Sequence, residues 1–335
     1  MGNVQQNLRT ILNSYGCGEP QRVESLGGAG GFSGAQFWRV SLAAGVFCIR
    51  QWPQGSDPAR IRWIHDVVRA AAAAGCDWLA APCETNARVT FVPLNQACYE
   101  LAPWMPGKAD FHEHPSTVRL QQAMRALAQF HQVARESMTN VSPTSDRPPA
   151  VQSRIQRIRQ LRSGGAHEIA QRLGTGHPLV APSLARRIVE RFQTQSSEIE
   201  RALASVPQGG PLVPCLRDIW HDHVLFTGEE VSGIVDYDAL RLDNVATDIS
   251  RLVGSLVRGD HARWQIALEA YHAVAPLDAD QRHLCLLLDA SNVMLAGMQW
   301  LEWLFVREIK FQTLGNVQRR LQEISLRLNE GDFQR

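Results

Sequence analysis

Charge of one sign is not in excess in this chain, and long apolar runs are missing. The 34 Lys and Arg residues nearly balance 33 Asp and Glu residues, which leaves a net charge of +1. Without a strong positive field there is nothing to recruit nucleic acid or an anionic membrane, so we expect neither as a partner. No stretch of about 18 apolar residues occurs, which argues against a transmembrane helix. Residues 1–15 are polar and lack the apolar core of a signal peptide.

Cysteine pairs spaced C-x-x-C are also absent, although the chain has seven cysteines. Their odd number and their spacing fit no zinc framework. Most of them lie among apolar neighbours, so we predict buried, reduced thiols and a cytoplasmic location. The seven are Cys17, Cys48, Cys76, Cys83, Cys98, Cys215 and Cys285.

A Walker A loop is excluded because the chain contains no G-K-[ST] sequence. A different stretch, residues 26–34, has five glycines in nine residues, and glycines let backbone N–H groups approach phosphates closely. Residues 37–40 then read as a strand, which favours a kinase-type cover over a dinucleotide-binding turn. A flexible surface turn is the alternative. The predicted nucleotide contacts in this loop are Gly28, Gly30, Gly31 and Ser33.

The first hundred residues read as strands and turns around one helix. Strand patterns occur at residues 36–42 and 46–50, typical of a hairpin, and again at 89–93 and 97–101. Between the two pairs, Asp57-Pro58 offers an N-cap and a first-turn proline, which predicts a helix.

Helical patterns dominate after residues 103–107, where two prolines and a glycine indicate a hinge. Apolar positions recur at helical spacing over residues 118–135 and near the C-terminus, and a Ser-, Thr- and Pro-rich surface loop is predicted over 136–150. We therefore predict an N-terminal nucleotide-binding lobe over residues 1–102 and a catalytic and substrate lobe over residues 103–335.

Two acidic segments point to chemistry. The first, residues 216–223, reads L-R-D-I-W-H-D-H, and its Asp218 and His223 occupy the frame of the kinase catalytic loop H-R-D-L-x-x-x-N. The second begins with Asp236 after a strand pattern, in the place of a D-F-G metal ligand. Asp218 could orient an attacking hydroxyl and accept its proton, and Asp236 could hold Mg²⁺. Phosphoryl transfer is the leading hypothesis, and aspartates that only cap a turn or end a strand are the alternative.

With these segments the chain resembles the aminoglycoside phosphotransferase and choline kinase family of small-molecule kinases over nearly its full length. That family's loop typically reads H-G-D-x-H-x-x-N, followed by I-D-[WF]-x, in the places of residues 216–223 and 234–238. Residues 100–107 and 126–131 are similar to its hinge and to its first large-lobe helix. The resemblance implies an α+β, two-lobed protein-kinase-like fold with a small β-rich N-terminal lobe and a larger helical C-terminal lobe. It also implies ATP and Mg²⁺ as cofactors.

The resemblance implies roles for Arg50, Glu100 and Ala102, and two further residues are candidates on other grounds. Arg50 stands where the family commonly has a Lys or Arg that reaches the nucleotide's α- and β-phosphates, and a guanidinium suits phosphate oxygens. Glu100 and Ala102 lie in the hinge, where we expect contact with the nucleotide. Asp243 and Trp303 are candidates for contact with the substrate, although aromatic residues on a helix are more often simply packed.

The catalytic segments depart from the family pattern at several positions. Leu216 and Arg217 replace His-Gly, and Arg217 could face solvent, pair with an acidic neighbour or reach a phosphate. His223 replaces an amide oxygen with an imidazole, a softer ligand than Mg²⁺ prefers. It could hydrogen-bond to Asp218, mark a one-metal site, or reflect impaired catalysis. Asp238 could share the metal or stay outside its ligand shell.

The surrounding framework departs at one position and agrees at another. The helix after Arg50 lacks the expected Glu partner, for which Asp66 could substitute, and His65 could also face inward. The resemblance places Asp248 behind the catalytic loop, where its carboxylate would brace the loop.

These patterns predict an ATP- and Mg²⁺-dependent phosphotransferase that moves the γ-phosphate to a hydroxyl of a small molecule. The acceptor could be an aminoglycoside, an amino alcohol such as choline, homoserine or a sugar. The alternative is a nucleotide-binding pseudokinase or regulatory module without turnover, which the replacements favour and the retention of Asp218 and Asp236 opposes. A metal protein built on His221-Asp222-His223 is a third reading.

Overall fold

The computed structural model describes residues 2–28, 34–137, 146–311 and 314–329. The chain forms two compact units, the first from Met1–Met138 and Asp222–Leu240 and the second from Thr139–His221 and Arg241–Arg335. The predicted division into a nucleotide-binding lobe over residues 1–102 and a catalytic lobe over residues 103–335 stays a prediction. Most of the predicted surface loop over residues 136–150 lies outside the described residues.

The first unit contains a five-stranded antiparallel sheet in the order β1-β2-β3-β5-β4. β2 and β3 form the predicted hairpin, in which Gly45 adopts a φ of 136° that suits a glycine. A separate antiparallel pair, β7 and β8, carries the acidic segment at its end. The strands are β1 (Arg22–Gly27), β2 (Gln36–Leu42), β3 (Gly45–Gln51), β4 (Val92–Leu94), β5 (Ala97–Pro103), β7 (Val224–Thr227) and β8 (Glu230–Ile234).

Three helices complete the first unit: α1 (Gly2–Ser14), α2 (Pro58–Ala73) and α3 (Thr117–Glu136). The prediction for α2 is confirmed, since the Asp57 side chain accepts the Ala59 N–H at 3.0 Å and Pro58 occupies the first turn. The expectation of a single helix among the first hundred residues is wrong, because α1 is helical as well. Its Leu8, Ile11 and Leu12 are buried in the core formed with the sheet, at the spacing of one helical face.

The second unit is mainly helical, with one short antiparallel pair. Its helices are α4 (Pro149–Gln160), α5 (Ala166–Arg172), α6 (Pro182–Ser205), α7 (Ala246–Val257), α8 (His261–His272), α9 (Ala279–Leu301) and α10 (Leu314–Asn329), and its strands are β6 (Val213–Cys215) and β9 (Arg241–Asp243). α9 packs against α4, α6, α7 and α10. The continuous stretch Ala279–Val306 is long and apolar enough to cross a membrane, but 56% of its apolar window is buried inside the protein. All seven cysteines carry free thiols, and Cys76, Cys98, Cys215 and Cys285 are buried.

Candidate active site

The acidic segment of the first unit is anchored by the tyrosine between its two aspartates. Tyr237 is 3% exposed, and its hydroxyl donates to the carbonyl of Ala80 at 2.7 Å. Burial raises the pKa of this phenol well above its ordinary value, so it stays a donor. Asp236 has a φ of 64°, a conformation that costs a non-glycine residue about 1–2 kcal/mol. Such strain persists only where the surroundings hold it, and it is most common at functional sites.

Arg50 connects the sheet to this acidic segment. Its Nη2 lies 2.6 Å from Asp238 Oδ2, and its Nη1 lies 3.7 Å from Asp236 Oδ1. The guanidinium also stacks over the ring of Trp52 at 4.3 Å. Burial alone would lower the pKa of Arg50, but the carboxylates of Glu100, Asp238 and Asp236 hold it above its ordinary value. The predicted contact of Arg50 with phosphates stays a prediction, and the structure shows that it hydrogen-bonds to Asp238 and lies within ion-pair distance of Asp236.

A second arginine holds the same segment from helix α2. Arg60 donates from its Nη2 to the carbonyls of Asp238 at 2.9 Å and Leu240 at 3.1 Å. These bonds link the helix to the acidic segment through the backbone. The glutamate expected on α2 would instead have paired with Arg50 on β3.

The acidic partner of Arg50 within the sheet comes from a neighbouring strand. Glu100 on β5 stands opposite Arg50 on β3 in the strand register. Its Oε2 accepts from Trp52 Nε1 at 2.6 Å and contacts His65 Nε2 at 2.7 Å. Although burial raises the pKa of Glu100, its contacts with His65, Arg50 and Trp52 lower it below the ordinary value.

His65 and Asp66 are neighbours on α2, but their side chains differ in burial. His65 faces inward and is fully buried, which confirms that expectation, whereas Asp66 is exposed and does not replace the glutamate. The Glu100 side chain contacts His65 and Trp52. The predicted nucleotide contact of Glu100 would therefore use its backbone, and it stays a prediction. Ala102 is 5% exposed and pairs with Cys48 in the sheet.

His223 lies beside the predicted metal ligand. Its Nε2 is 3.6 Å from Asp236 Oδ2, longer than a hydrogen bond, and its side chain is 13% exposed. Asp236 and Asp238 supply hard carboxylate oxygens, which suit Mg²⁺, and the Asp236 side chain is 37% exposed. The donor set of the first unit therefore fits a magnesium ion, with the imidazole as a neighbour that Mg²⁺ does not require.

Only part of the glycine-rich loop falls within the described residues. Gly28 forms a half-buried turn after β1, and Gly27 and Gly34 have φ values of 58° and 84°. Gly30, Gly31 and Ser33 lie outside the described residues, so their predicted contacts with a nucleotide stay predictions.

The catalytic segment of the second unit is braced by Asp248 at the start of α7, as predicted. Its two carboxylate oxygens accept the backbone N–H groups of Leu216 and Arg217, each at 2.6 Å, and the side chain is fully buried. Arg217 has a φ of 66°. This left-handed conformation suits glycine, which explains why the resembled motif H-G-D carries glycine at this position.

Two side chains of this segment, Asp218 and Arg217, form ion pairs within the second unit. Arg251 on α7 donates to Oδ1 of Asp218, whose side chain is 49% exposed. Arg217 donates to Oδ2 of the fully buried Asp243, so of the three options for Arg217, pairing with an acidic neighbour is confirmed. The other oxygen of Asp243 accepts the N–H groups of Ala150 at 3.2 Å and Asn244 at 2.9 Å.

The two predicted substrate contacts differ in their surroundings. Asp243 already binds Arg217, and burial raises the pKa of its carboxyl group although Arg217 lowers it. Trp303 is half-buried, and its ring lies 5.1 Å from that of Trp300 and 6.2 Å from that of Phe311. Both substrate contacts stay predictions.

Several residues that hold these groups were not foreseen from the sequence. Tyr237 could have been found, because an aromatic residue between two acidic ones after a strand is a typical anchor. Arg251 lies one helical turn after Asp248, so helical spacing alone places it near the same loop. Arg60 and Trp52 gave no local signal, because their partners are distant in the sequence.

Comparisons with known proteins give one family and one fold. A profile of the phosphotransferase enzyme family matches residues 27–283. A spectinomycin phosphotransferase solved with ADP and spectinomycin is 14% identical, with a TM-score of 0.66 and 98% of each chain covered. An aminoglycoside phosphotransferase from Alicyclobacillus acidocaldarius is 15% identical, with a TM-score of 0.59, covering 96% of this chain and 92% of that one. An amicoumacin kinase solved with AMP-PNP and Ca²⁺ is 13% identical, with a TM-score of 0.61 over 96% of this chain and 92% of that one. No curated protein sequence matches the chain. The likeness confirms the predicted α+β, protein-kinase-like fold.

Proposed function

The chain belongs to the phosphotransferase enzyme family, as its catalytic segments predicted, and on that premise we propose that it transfers the γ-phosphate of ATP to a hydroxyl of a small molecule. Bound ATP with Mg²⁺ supplies the phosphoryl group and neutralises its developing charge. The solved relatives contain ADP or AMP-PNP, which supports nucleotide as the donor. The cytoplasm is the proposed site of action.

The observation that carries this proposal is the construction of the acidic segment. The first unit holds Asp236 in a strained conformation between a buried tyrosine anchor and Arg50. Two carboxylates kept together beside one guanidinium are costly without a cation to bind, because like charges at short distance repel. In the proposed reaction Asp236 holds the metal, and Asp238 keeps Arg50 in place.

The catalytic group in the second unit is Asp218. Its side chain is half exposed and its backbone neighbour Arg217 is braced by Asp248, so the carboxylate is fixed and accessible. A carboxylate so placed can orient an acceptor hydroxyl and take its proton as the new bond forms. The reaction requires Asp218 and Asp236 to act on the same phosphoryl group, which is part of the proposal.

The glycine-rich loop and Arg50 are proposed to bind the nucleotide's phosphates, and the backbone of Glu100 and Ala102 its base. Asp243 and Trp303 keep a proposed role at the substrate, with Asp243 acting by orienting Arg217. Small hydroxylated molecules are the proposed partners, and neither nucleic acid nor a membrane is among them.

Nucleotide binding without turnover is the competing function, and one observation favours it. Arg251 pairs with the proposed base, Asp218, and donates to its Oδ1, so that oxygen is already engaged by a protein group. An active enzyme must therefore draw Arg251 toward another anion during turnover.

Thermal melting with ATP tests the proposal. A ligand that binds only the folded state raises the melting temperature, so ATP with Mg²⁺ should stabilise the parent protein. Asp236→Ala should lose this shift, whereas Asp218→Ala and the exposed control Asp66→Ala should keep it. Absence of any shift with ATP and Mg²⁺, Mn²⁺ or no metal would refute nucleotide-dependent activity.

A further inference from the structure

Three arginines gather around the proposed catalytic aspartate within the second unit. Arg217 binds Asp243 and Arg251 binds Asp218. Arg154 on α4 donates to the carbonyl of Ala150, whose own N–H donates to Asp243, the partner of Arg217. The charges of Arg217 and Arg251 also act on Arg154.

Arg154 differs from the other two because it has no carboxylate partner among the described residues. Its Nη1 donates to the carbonyl of Ala150 at 2.9 Å, and its Nη2 donates to Oδ1 of Asn292 on α9. Its Nε is buried and makes no hydrogen bond. A buried guanidinium held by two neutral oxygens keeps an uncompensated charge, which is costly in a protein interior.

The charges around Arg154 add to this excess. Burial and the charges of Arg251 and Arg217 lower the pKa of Arg154 to about 10, although the carboxylate of Asp243 opposes them. The other carboxylate near the loop, Asp248, already accepts two backbone N–H groups. An anion between the arginines would therefore relieve repulsion that the protein itself leaves uncompensated.

Arg251 also has one N–H group without a hydrogen-bond partner. Its Nε is buried without a hydrogen bond, and its side chain is 31% exposed. Arg217, at 23% exposure, is reachable as well. Guanidinium groups bind carboxylates and phosphates through paired N–H donors, so a cluster of this kind recognises an oxyanion.

From this cluster we infer that the acceptor is an anionic molecule, whose carboxylate or phosphate ester binds between Arg154, Arg217 and Arg251 while its hydroxyl meets Asp218. This inference rests on the proposed function, because it takes Asp218 as the group that orients the hydroxyl. The bound oxyanion would draw Arg251 away from Asp218 and free that carboxylate to accept the proton. Among the predicted acceptors, it disfavours cationic aminoglycosides and amino alcohols.

A matched set of sugars tests the inference by isothermal titration without nucleotide. Glucose 6-phosphate and gluconate carry the two kinds of oxyanion, glucose is neutral and glucosamine is cationic. At least one anionic sugar should bind about tenfold or more tightly than glucose, because a charge-assisted hydrogen bond contributes on this scale, and glucosamine should bind no better than glucose. The two anionic sugars distinguish a phosphate site from a carboxylate site.

Variants locate the site. Arg154→Gln and Arg251→Gln should each weaken binding of the preferred anion about tenfold, with Arg251→Gln serving if Arg154→Gln does not fold. Arg159→Gln is the matched control on the same helix, since Arg159 is 64% exposed and pairs with Glu200 instead. Asp236→Ala should leave anion binding intact, which separates this site from the proposed nucleotide site.

The inference fails if neither anionic sugar binds more tightly than glucose and glucosamine, or if both arginine variants bind the anions as the parent does. It also fails if Asp236→Ala removes anion binding, since the anion would then occupy the nucleotide site. If ATP does not stabilise the protein but an anionic sugar binds in the way described, the anion site is supported and the kinase reaction is refuted. The failure of the anion site can therefore be told apart from the failure of the proposed kinase function.

Discussion

Arg217→Gly should destabilise the protein, even though glycine suits the backbone at this position better than arginine. A φ of 66° at Arg217 costs a non-glycine residue about 1–2 kcal/mol, which the substitution regains. The substitution also removes the partner of Asp243, which is fully buried, and leaving such a carboxylate unpaired costs about 3–5 kcal/mol. The ion pair outweighs the strain, and the free energy of unfolding should fall by about 1–4 kcal/mol.

Urea unfolding followed by tryptophan fluorescence measures this change, and a second substitution isolates its cause. Asp243→Asn combined with Arg217→Gly removes the buried charge, so the double variant should be more stable than Arg217→Gly alone. The coupling free energy between the two sites should be about 2 kcal/mol, within the range for contacting residues. If Arg217→Gly is as stable as the parent, or more stable, the strain exceeds the contribution of the pair and the reasoning is refuted.

Three further changes test the structure around the site. Asp248→Ala removes two charge-assisted hydrogen bonds to the backbone of the catalytic segment, so urea unfolding should show a loss of about 3–5 kcal/mol; a loss under about 1 kcal/mol would contradict the bracing role. Tyr237→Phe leaves the carbonyl of Ala80 unbonded and should cost about 1–3 kcal/mol in the same assay, and no change would show that the anchor is unimportant. Burial raises the pKa of Asp289 to about 6 from its ordinary value of 3.8, although Arg327 opposes this, so the folded state binds the proton more tightly than the unfolded chain. Stability relative to Asp289→Asn should therefore fall by roughly 3 kcal/mol as the pH rises from 4 to 7, and a pH-independent difference would contradict the burial of its charge.

Local patterns in the sequence predict the elements that local forces form. The hairpin of β2 and β3 follows from alternating residues around Gly45, and the start of α2 follows from the Asp57 cap and Pro58. α1 was missed although Leu8, Ile11 and Leu12 have helical spacing, because these few apolar residues lie in a polar segment whose burial comes from the sheet. Packing between distant segments, more than local preference, stabilises such a helix.

The candidate site divides in the same way. Asp218 and Asp236 were predicted because they belong to motifs with fixed spacing, and Asp248 because of the family resemblance. The arginines that pair with two of them come from elsewhere in the chain, as Arg251 does for Asp218 and Arg50 for Asp236. Which arginine meets which carboxylate depends on tertiary packing, and no sequence spacing encodes it.

The role of His223 shows the same dependence. The sequence left three readings open, among them a hydrogen bond to Asp218. In the first unit, Nε2 of His223 lies 3.6 Å from Oδ2 of Asp236. The imidazole therefore borders the proposed metal ligand, and Mg²⁺ against Mn²⁺ in the melting assay would show whether it joins the ligand set, since Mn²⁺ accepts imidazole more readily.

Phosphorus NMR of the protein with ATP, Mg²⁺ and hydroxylated sugars tests the central claim most directly. We expect a new phosphate ester resonance as ADP appears, with an anionic sugar as the best acceptor. This resonance should be lost in Asp218→Ala, which still binds ATP. ATP binding without any phosphorylated product from anionic, neutral or cationic acceptors would contradict the proposed phosphoryl transfer. It would instead favour nucleotide binding without turnover.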